Sequence, residues 1–230
     1  MANEDDAATL LGSRLDAVRE SVSDACRAAG RDPSEITTIV VTKFHPVELV
    51  RQLHALGVRD FGENRHQEAR GKAQATAELD LRWHFVGQLQ SKKARQARTY
   101  ASVIHSIDRP SLIETLASDE GALECFVQLN LTDDPRRGGV AGSELERMGE
   151  LVLGTPGLEL RGVMAVAPID EEPRRAFARV REASERIRAL APTARFISAG
   201  MSADFPEAIA EGATHLRIGT AITGNRPLAG

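Results

Sequence analysis

The feature that most constrains this chain is an alternation that runs its whole length: a short apolar segment, then an amphipathic one, again and again. Ile36–Thr42 is nearly all β-branched, as a strand buried on both faces requires. Further strand-like runs follow at Val58–Gly62, Arg82–Gly87, Ser102–Ile107, Leu123–Asn130, Leu158–Met164, Arg195–Ser198 and His215–Ile218. Helical spacing fills the intervals: Pro46 to Gly57, Arg65–Ala77, Gln90–Arg98, Pro110–Ala117, Ser143–Leu153, Pro173–Leu190 and Ala203–Glu211. Strands separated by helices are expected to lie parallel, because each helix carries the chain back to the same end of the sheet. A doubly wound open sheet satisfies that pattern too. About eight units with short loops fit a closed (β/α)8 barrel of the TIM type better. Ahead of the first strand, Leu11, Leu15, Val18, Val22, Cys26 and Ala29 recur at helical spacing and Gly30 ends them, which predicts an extra N-terminal helix. No linker or composition shift divides the chain, so residues 1–230 are read as one domain. The longest irregular stretch, Leu131–Gly142, holds Asp133, Asp134, Arg136, Arg137, Gly138 and Gly139 and is a candidate mobile loop at the functional end.

Composition narrows the function classes. Aromatic residues are only 4% of the chain, so aliphatic side chains and alanine must fill the core. A net charge of −4 argues against a nucleic-acid partner, which would want a basic footprint. Two cysteines, Cys26 and Cys125, fall in different predicted elements and suggest reduced thiols in a cytoplasmic protein. No apolar run reaches membrane-span length, and the acidic start, Met1 to Asp6, lacks a signal-peptide pattern.

In a barrel of this kind the chemistry gathers at the C-terminal ends of the strands. The strand ends here carry Lys43, Phe61-Gly62-Glu63-Asn64, His84, His105-Ser106, Asn130, Met164, Ser198 to Ser202, and Arg217-Ile218-Gly219-Thr220. A lysine closing a buried β-branched strand is costly, since burial disfavours the ammonium. The same burial would free the amine for a Schiff base. The alternative is a lysine that reaches out to the rim or pairs with Glu63. The stretch Ser198-Ala199-Gly200-Met201-Ser202-Ala203-Asp204 leaves the seventh strand and enters a helix. Its small residues allow close backbone approach, and helix-start N–H groups bind phosphate. Gly219-Thr220 after the last strand offers a second set of donors. A helix N-cap at Ser202 and a turn at Gly219 account for the same residues equally well. Arg217 needs a partner if buried: a carboxylate such as Glu63 or Asp204, or an acceptor on a ligand. The histidines His45, His54, His66, His84, His105 and His215 show no metal-ligand spacing, so no metal is expected.

Taken together, these segments resemble the pyridoxal phosphate homeostasis proteins, also called the proline synthetase co-transcribed family. The resemblance rests on Val41-Thr42-Lys43, Phe61-Gly62-Glu63-Asn64, Trp83-His84-Phe85-Val86-Gly87-Gln88-Leu89-Gln90-Ser91 and His105-Ser106-Ile107-Asp108. Gly200-Met201-Ser202-Ala203-Asp204 and Arg217-Ile218-Gly219-Thr220-Ala221-Ile222 complete it, and it runs from about Ile39 to Arg226. It implies a barrel like the N-terminal domain of alanine racemase, carrying pyridoxal 5'-phosphate (PLP) as a Schiff base on Lys43. By the same resemblance Ser202, Gly219 and Thr220 hold the phosphate, with backbone help from Gly200 and Met201. Arg217 faces the pyridine nitrogen, and Asn64 and His84 stand near the pocket. Three positions depart from the family. Arg137-Gly138-Gly139 replaces a Lys-Ser-Gly, Ala199 stands where methionine is common, and Thr223 where phenylalanine is common.

The resemblance further implies a carrier acting in PLP supply and amino-acid and keto-acid balance, with little or no catalysis. Apo PLP-dependent enzymes would be its recipients. The alternative is an amino-acid racemase, which needs a second proton-transfer group on the opposite cofactor face. In alanine racemase a tyrosine from a second domain serves, whereas Tyr100 here opens the fourth strand region, at the wrong end. An arginine at the pyridine nitrogen also disfavours the protonated ring and weakens its pull on electrons. A Schiff-base aldolase on the same fold is a third reading. Without the racemase's second domain, a monomer is expected.

Overall fold

A computed structural model of the chain describes residues 2–132 and 134–225. Met1, Asp133 and the residues from Arg226 onward, which the sequence reading includes, lie outside the described residues. Eight strands close into a parallel barrel in chain order, β8 pairing with β1. They are β1 Thr37–Val41, β2 Asp60–Glu63, β3 Arg82–Phe85, β4 Val103–Ile107, β5 Leu123–Gln128, β6 Leu158–Met164, β7 Phe196–Ser198 and β8 His215–Ile218. Around them stand α1 Ala2–Ala28, α2 Val47–Ala55, α3 His66–Ala75, α4 Ser91–Arg98 and α5 Pro110–Leu116. The ring continues with α6 Leu145–Leu153, α7 Pro173–Leu190, α8 Phe205–Ala210 and α9 Thr220–Thr223. The expected (β/α)8 barrel and N-terminal helix are therefore present, and the open-sheet alternative is excluded by the β8–β1 ladder.

The extra helix has a structural reason. The helix after β8 is a single turn, too short to cover its strand. α1 packs against α8, α9 and α2 and so covers the barrel where the one-turn α9 leaves it open among the described residues. Its stripe of Leu11, Leu15, Val18, Val22 and Cys26 is buried. Each such leucine or valine contributes about 1.5–3 kcal/mol when fully buried. No helix among the described residues is long and apolar enough to cross a membrane.

The main apolar cluster lies between the strands and the helices, while the barrel's interior is unusually polar. Only Val103, Phe126 and Met164 form an apolar cluster of their own there, with Val166 and Phe196 against it. His84, His105, His215, Ser198 and Arg217 are buried beside them. His105 stacks on the Phe126 ring at 4.6 Å, and His215 meets Phe126 and Phe196 edge-on. At the N-terminal end Glu124 pairs with Arg82 at 2.5 Å and Arg161 at 3.1 Å.

Burial holds the histidines neutral: it lowers His84, drives His105 well below the ordinary range and takes His215 to about 3. These groups bind protons more readily in the unfolded chain. Above pH 6.5 both states are neutral and the histidines add no slope. As pH falls below that value the unfolded state takes up protons first, so stability declines. For His215 alone the loss at pH 5 is about 2 kcal/mol. Urea unfolding at pH 7.5 and pH 5 should show this loss, and His215→Phe should remove its share of the slope.

The stretch Leu131–Gly142 is more organised than its composition suggests. Val140 bridges Leu129, and Asn130 Nδ2 donates to the Asp134 carbonyl at 3.0 Å. Short 3-10 turns at Pro135–Arg137 and Gly142–Glu144 occupy the rest. Gly139 is obligatory, because a Cβ there would lie 2.7 Å from the Asn130 nitrogen.

Candidate functional site

Strand alternation places the site. Along a strand, residues two apart share a face. The inward face of β1 runs through Val41 and continues past the strand end to Lys43. The inward faces of β2, β3, β6 and β8 likewise extend to Asn64, Val86, Val166, and Arg217 with Gly219. All seven residues line one cavity of about 310 Å³ at the C-terminal mouth, closed on one side by Met201, Ser202, Ala203 and Thr220. Size alone does not single it out, since a depression beside Arg109 measures about 420 Å³. Its residues do: it joins an amine, a guanidinium and several hydroxyl and N–H donors.

Lys43 is not buried. The strand stops at Val41, Thr42 begins the turn, and the Lys43 side chain is exposed at the rim. It makes no ion pair among the described residues, and Glu63 is taken by another lysine. Lys72, from α3, donates to Glu63 Oε1 at 2.6 Å, to Glu68 Oε1 at 2.9 Å and to the Thr42 carbonyl at 2.7 Å. Thr42 Oγ1 also donates to Glu63 Oε1, at 2.7 Å. Burial pushes the Glu63 carboxyl above its ordinary range, against the pull of Lys72, and Glu63 Oε2 has no partner among the described residues.

This cluster grips Lys43 from both sides. Thr42, before it, is held by Lys72 and Glu63. Phe44, after it, donates its N–H to Glu68 Oε1 at 2.5 Å and stands at φ +68°. Left-handed backbone is a genuine outlier for a bulky residue, costing roughly 1–3 kcal/mol. Arg65 lies over the Phe44 ring at 4.9 Å and helps hold it there. Lys72 and Glu68 sit on α3, away from the strand ends that carry the sequence candidates. The spacing Glu68-to-Lys72, one helical turn, is the sequence signal that marks them.

The donors at the other wall are arranged differently from the sequence expectation in part. Ser202 is not an N-cap: α8 begins at Phe205 and its N-cap is Asp204. The Ser202 hydroxyl instead accepts from the Ala221 N–H at 3.4 Å, which ties it to the start of α9. Gly219 is the N-cap of α9, so the first N–H groups of that turn, at Gly219 and Thr220, have no acceptor among the described residues. Two expected contributors are corrected. The Met201 N–H already donates to Asp204 Oδ1 at 2.6 Å, leaving only its side chain on the cavity wall. Gly200 does not line the cavity. Its φ of +91° and its close approach to α8, where a Cβ would come within 2.8 Å of Ala208 Cβ, call for glycine at this bend of the loop.

Arg217 is buried and finds neither carboxylate proposed for it. Its Nη1 donates to Ser198 Oγ at 2.7 Å and its Nη2 to the Ala165 carbonyl at 2.8 Å. Desolvation lowers it to about 10, with Asp204 opposing, so it stays charged at neutral pH. Asn64 lines the cavity as expected, and its backbone lies so close to Gly87 that a Cβ there would fall 2.3 Å from the Asn64 carbonyl oxygen. His84 does not line the cavity. It points into the barrel, one layer below Val86, and hydrogen-bonds Asp60 and His105. Tyr100 bonds His66 Nδ1 at 3.2 Å and is also absent from the cavity wall.

Comparison with known proteins fits this geometry. The family described as "Alanine racemase, N-terminal domain" matches residues 13–227. A pyridoxal phosphate homeostasis protein of Corynebacterium glutamicum is 39% identical over 86% of this chain and 94% of its own. That of Pseudomonas aeruginosa is 39% identical over 94% of this chain and 96% of its own. The chain belongs to the pyridoxal phosphate homeostasis protein family. Among solved structures, PipY of Synechococcus elongatus PCC7942, described with PLP bound, superposes with a TM-score of 0.80 at 33% identity, covering 93% of this chain and all of that one. In this member of the homeostasis family, the segments that carried the resemblance converge on the cavity at Lys43, Asn64, Ser202, Arg217, Gly219 and Thr220, while His84 and Gly200 support it from behind.

Proposed function

We propose that this chain binds PLP as a Schiff base on Lys43 and acts in intracellular PLP homeostasis and amino-acid and keto-acid balance, with little or no turnover. The observation that carries the reading is convergence: an exposed amine, a phosphate-type donor set and a buried guanidinium share one cavity. The donor set fits a phosphate monoester, which wants hydroxyl and N–H donors and no carboxylate beside it. Ser202, Thr220 and the N–H groups of Gly219 and Thr220 would hold that end. Asn64, Val41, Val86 and Val166 line the rest of the cavity and would flank the ring. When bound, PLP supplies an electrophilic aldehyde and an electron-withdrawing ring. PipY, a relative of the same family, is described with PLP bound.

The cavity's own residues favour holding over turnover. Arg217 can only donate, so it opposes a protonated pyridine nitrogen and leaves a weaker electron sink. Among the described lining residues, Lys43 is the one amine, and no carboxyl, imidazole, phenol or thiol faces it to serve as a second proton-transfer group. Apo PLP-dependent enzymes are the recipients this reading implies.

Adding PLP to the purified protein should produce a visible absorbance band, and pyridoxal, lacking the phosphate, should bind poorly. Ser202→Ala and Thr220→Val should each weaken PLP binding about tenfold to a hundredfold without removing the band. Equal affinity for pyridoxal and PLP would refute the phosphate site.

A further inference from the structure

A continuous line of hydrogen bonds crosses the barrel interior from its N-terminal end to the cavity. Asp60 Oδ1 meets His84 Nε2 at 2.9 Å, and His84 Nδ1 meets His105 Nε2 at 2.9 Å. His105 Nδ1 meets Ser198 Oγ at 2.8 Å, and Ser198 Oγ accepts from Arg217 Nη1 at 2.7 Å. Asp60 opens β2 and its side chain is 26% exposed, whereas His84, His105 and Ser198 are buried. Residues as far apart in sequence as His105 and Ser198 are involved, so the line exists only in the closed barrel.

The two ends dictate the direction of every bond. Asp60, as a carboxylate, can only accept, so His84 must carry its proton on Nε2. Burial keeps His84 and His105 neutral, which leaves His84 Nδ1 as an acceptor. His105 must then donate from Nε2, and its Nδ1 must accept. Arginine can only donate, so the single Ser198 hydroxyl proton is free to point at His105. The one consistent arrangement runs Arg217 to Ser198 to His105 to His84 to Asp60. Stacking on Phe126 fixes the plane of His105 within it. A buried guanidinium without a carboxylate in contact thus has its nearest hydrogen-bonded anion at the far end of a four-bond line.

We propose that Asp60, His84, His105 and Ser198 form a one-directional hydrogen-bond relay that positions Arg217 at the cavity. They are positioning residues for the guanidinium, and the histidines are more than packing. The claim rests on the reading of Arg217 as the donor to the PLP ring nitrogen, and the test separates the two.

Asp60→Ala is the probing variant, because Asp60 lies partly exposed at the opposite end from the cavity. In the cofactor-free protein, histidine ¹⁵N spectra should show both His84 and His105 with the proton on Nε2. In Asp60→Ala, the tautomer balance should change at His84 and also at His105, which Asp60 does not touch. Asp60→Asn, which keeps an acceptor oxygen but loses the charge, should show a smaller change at both rings and covers the case in which Asp60→Ala fails to fold. A proton on Nδ1 of either ring in the wild type, or a change confined to His84, would overturn the relay. In protein loaded with ring-¹⁵N PLP, Asp60→Ala should shift the ring-nitrogen resonance in the same direction as Arg217→Lys, by less. A shift in Arg217→Lys with none in Asp60→Ala overturns the relay alone. No shift in either overturns the assigned place of Arg217, and the relay's functional meaning with it.

Discussion

Lys43→Ala protein is expected to fold normally and to show no visible absorbance band with PLP, where the wild type shows one. The amine is exposed at the rim, so its removal should change stability by no more than about 0.5 kcal/mol. The loss of the band should nevertheless be complete, because no other amine lines the cavity among the described residues. Lys72 is the nearest competitor in sequence terms, yet its Nζ is spent on three acceptors behind the strand. Borohydride reduction of the loaded wild type, followed by peptide mapping, should place the pyridoxyl group on Lys43. Labelling of Lys72, Lys92 or Lys93 would sink the assignment.

The second large effect is expected at Lys72. Its ammonium is 6% exposed, and it is the charged partner of the fully buried Glu63. Replacing Lys72 with methionine keeps much of the volume but strands a buried carboxylate, which typically destabilises by about 3–5 kcal/mol. Glu63 would protonate rather than remain an isolated charge, so the loss should be larger at pH 8 than at pH 6. Adding Glu63→Gln should recover part of the stability, since a neutral amide is cheaper to bury. Denaturant midpoints of the single and double variants measure both. Because Thr42 and Phe44 are held by the same cluster, Lys72→Met should also slow the reaction of Lys43 with PLP. A protein as stable as the wild type would mean that the Lys72–Glu63 pair is dispensable.

Much of the architecture is legible in the residues alone. The β-branched run before Lys43, the recurrence of apolar triplets in the helices and the regular spacing of the units are local properties. They dictate parallel strands and, with short loops, favour a closed barrel, which the β8–β1 ladder then establishes. The ends of the strands also narrow the candidates, so Asn64, Arg217 and Gly219 stand on the same list as Lys43, and the family resemblance adds their roles. The small-residue turns after the last two strands bring Ser202 and Thr220 into view, but a cap and a turn explain them equally well.

What only the tertiary structure decides is who pairs with whom. Two acids and a buried lysine contend for the same ground, and the sequence does not say that Lys72, not Lys43, reaches Glu63. It does not show that Lys43 projects past the strand end into solvent, because that depends on where the ladder with β2 stops. His84 reads as a strand-end residue but sits one layer down, and its partners Asp60 and His105 come from the two neighbouring strands. Arg217 needs an acceptor by any reading, yet Ser198 and the Ala165 carbonyl are identified only when β6, β7 and β8 lie side by side. Local pattern determines which faces are inward, since it follows from backbone period and burial. Partner choice among inward-facing polar groups is settled by cross-strand register and closure, which bring together residues nearly a hundred positions apart.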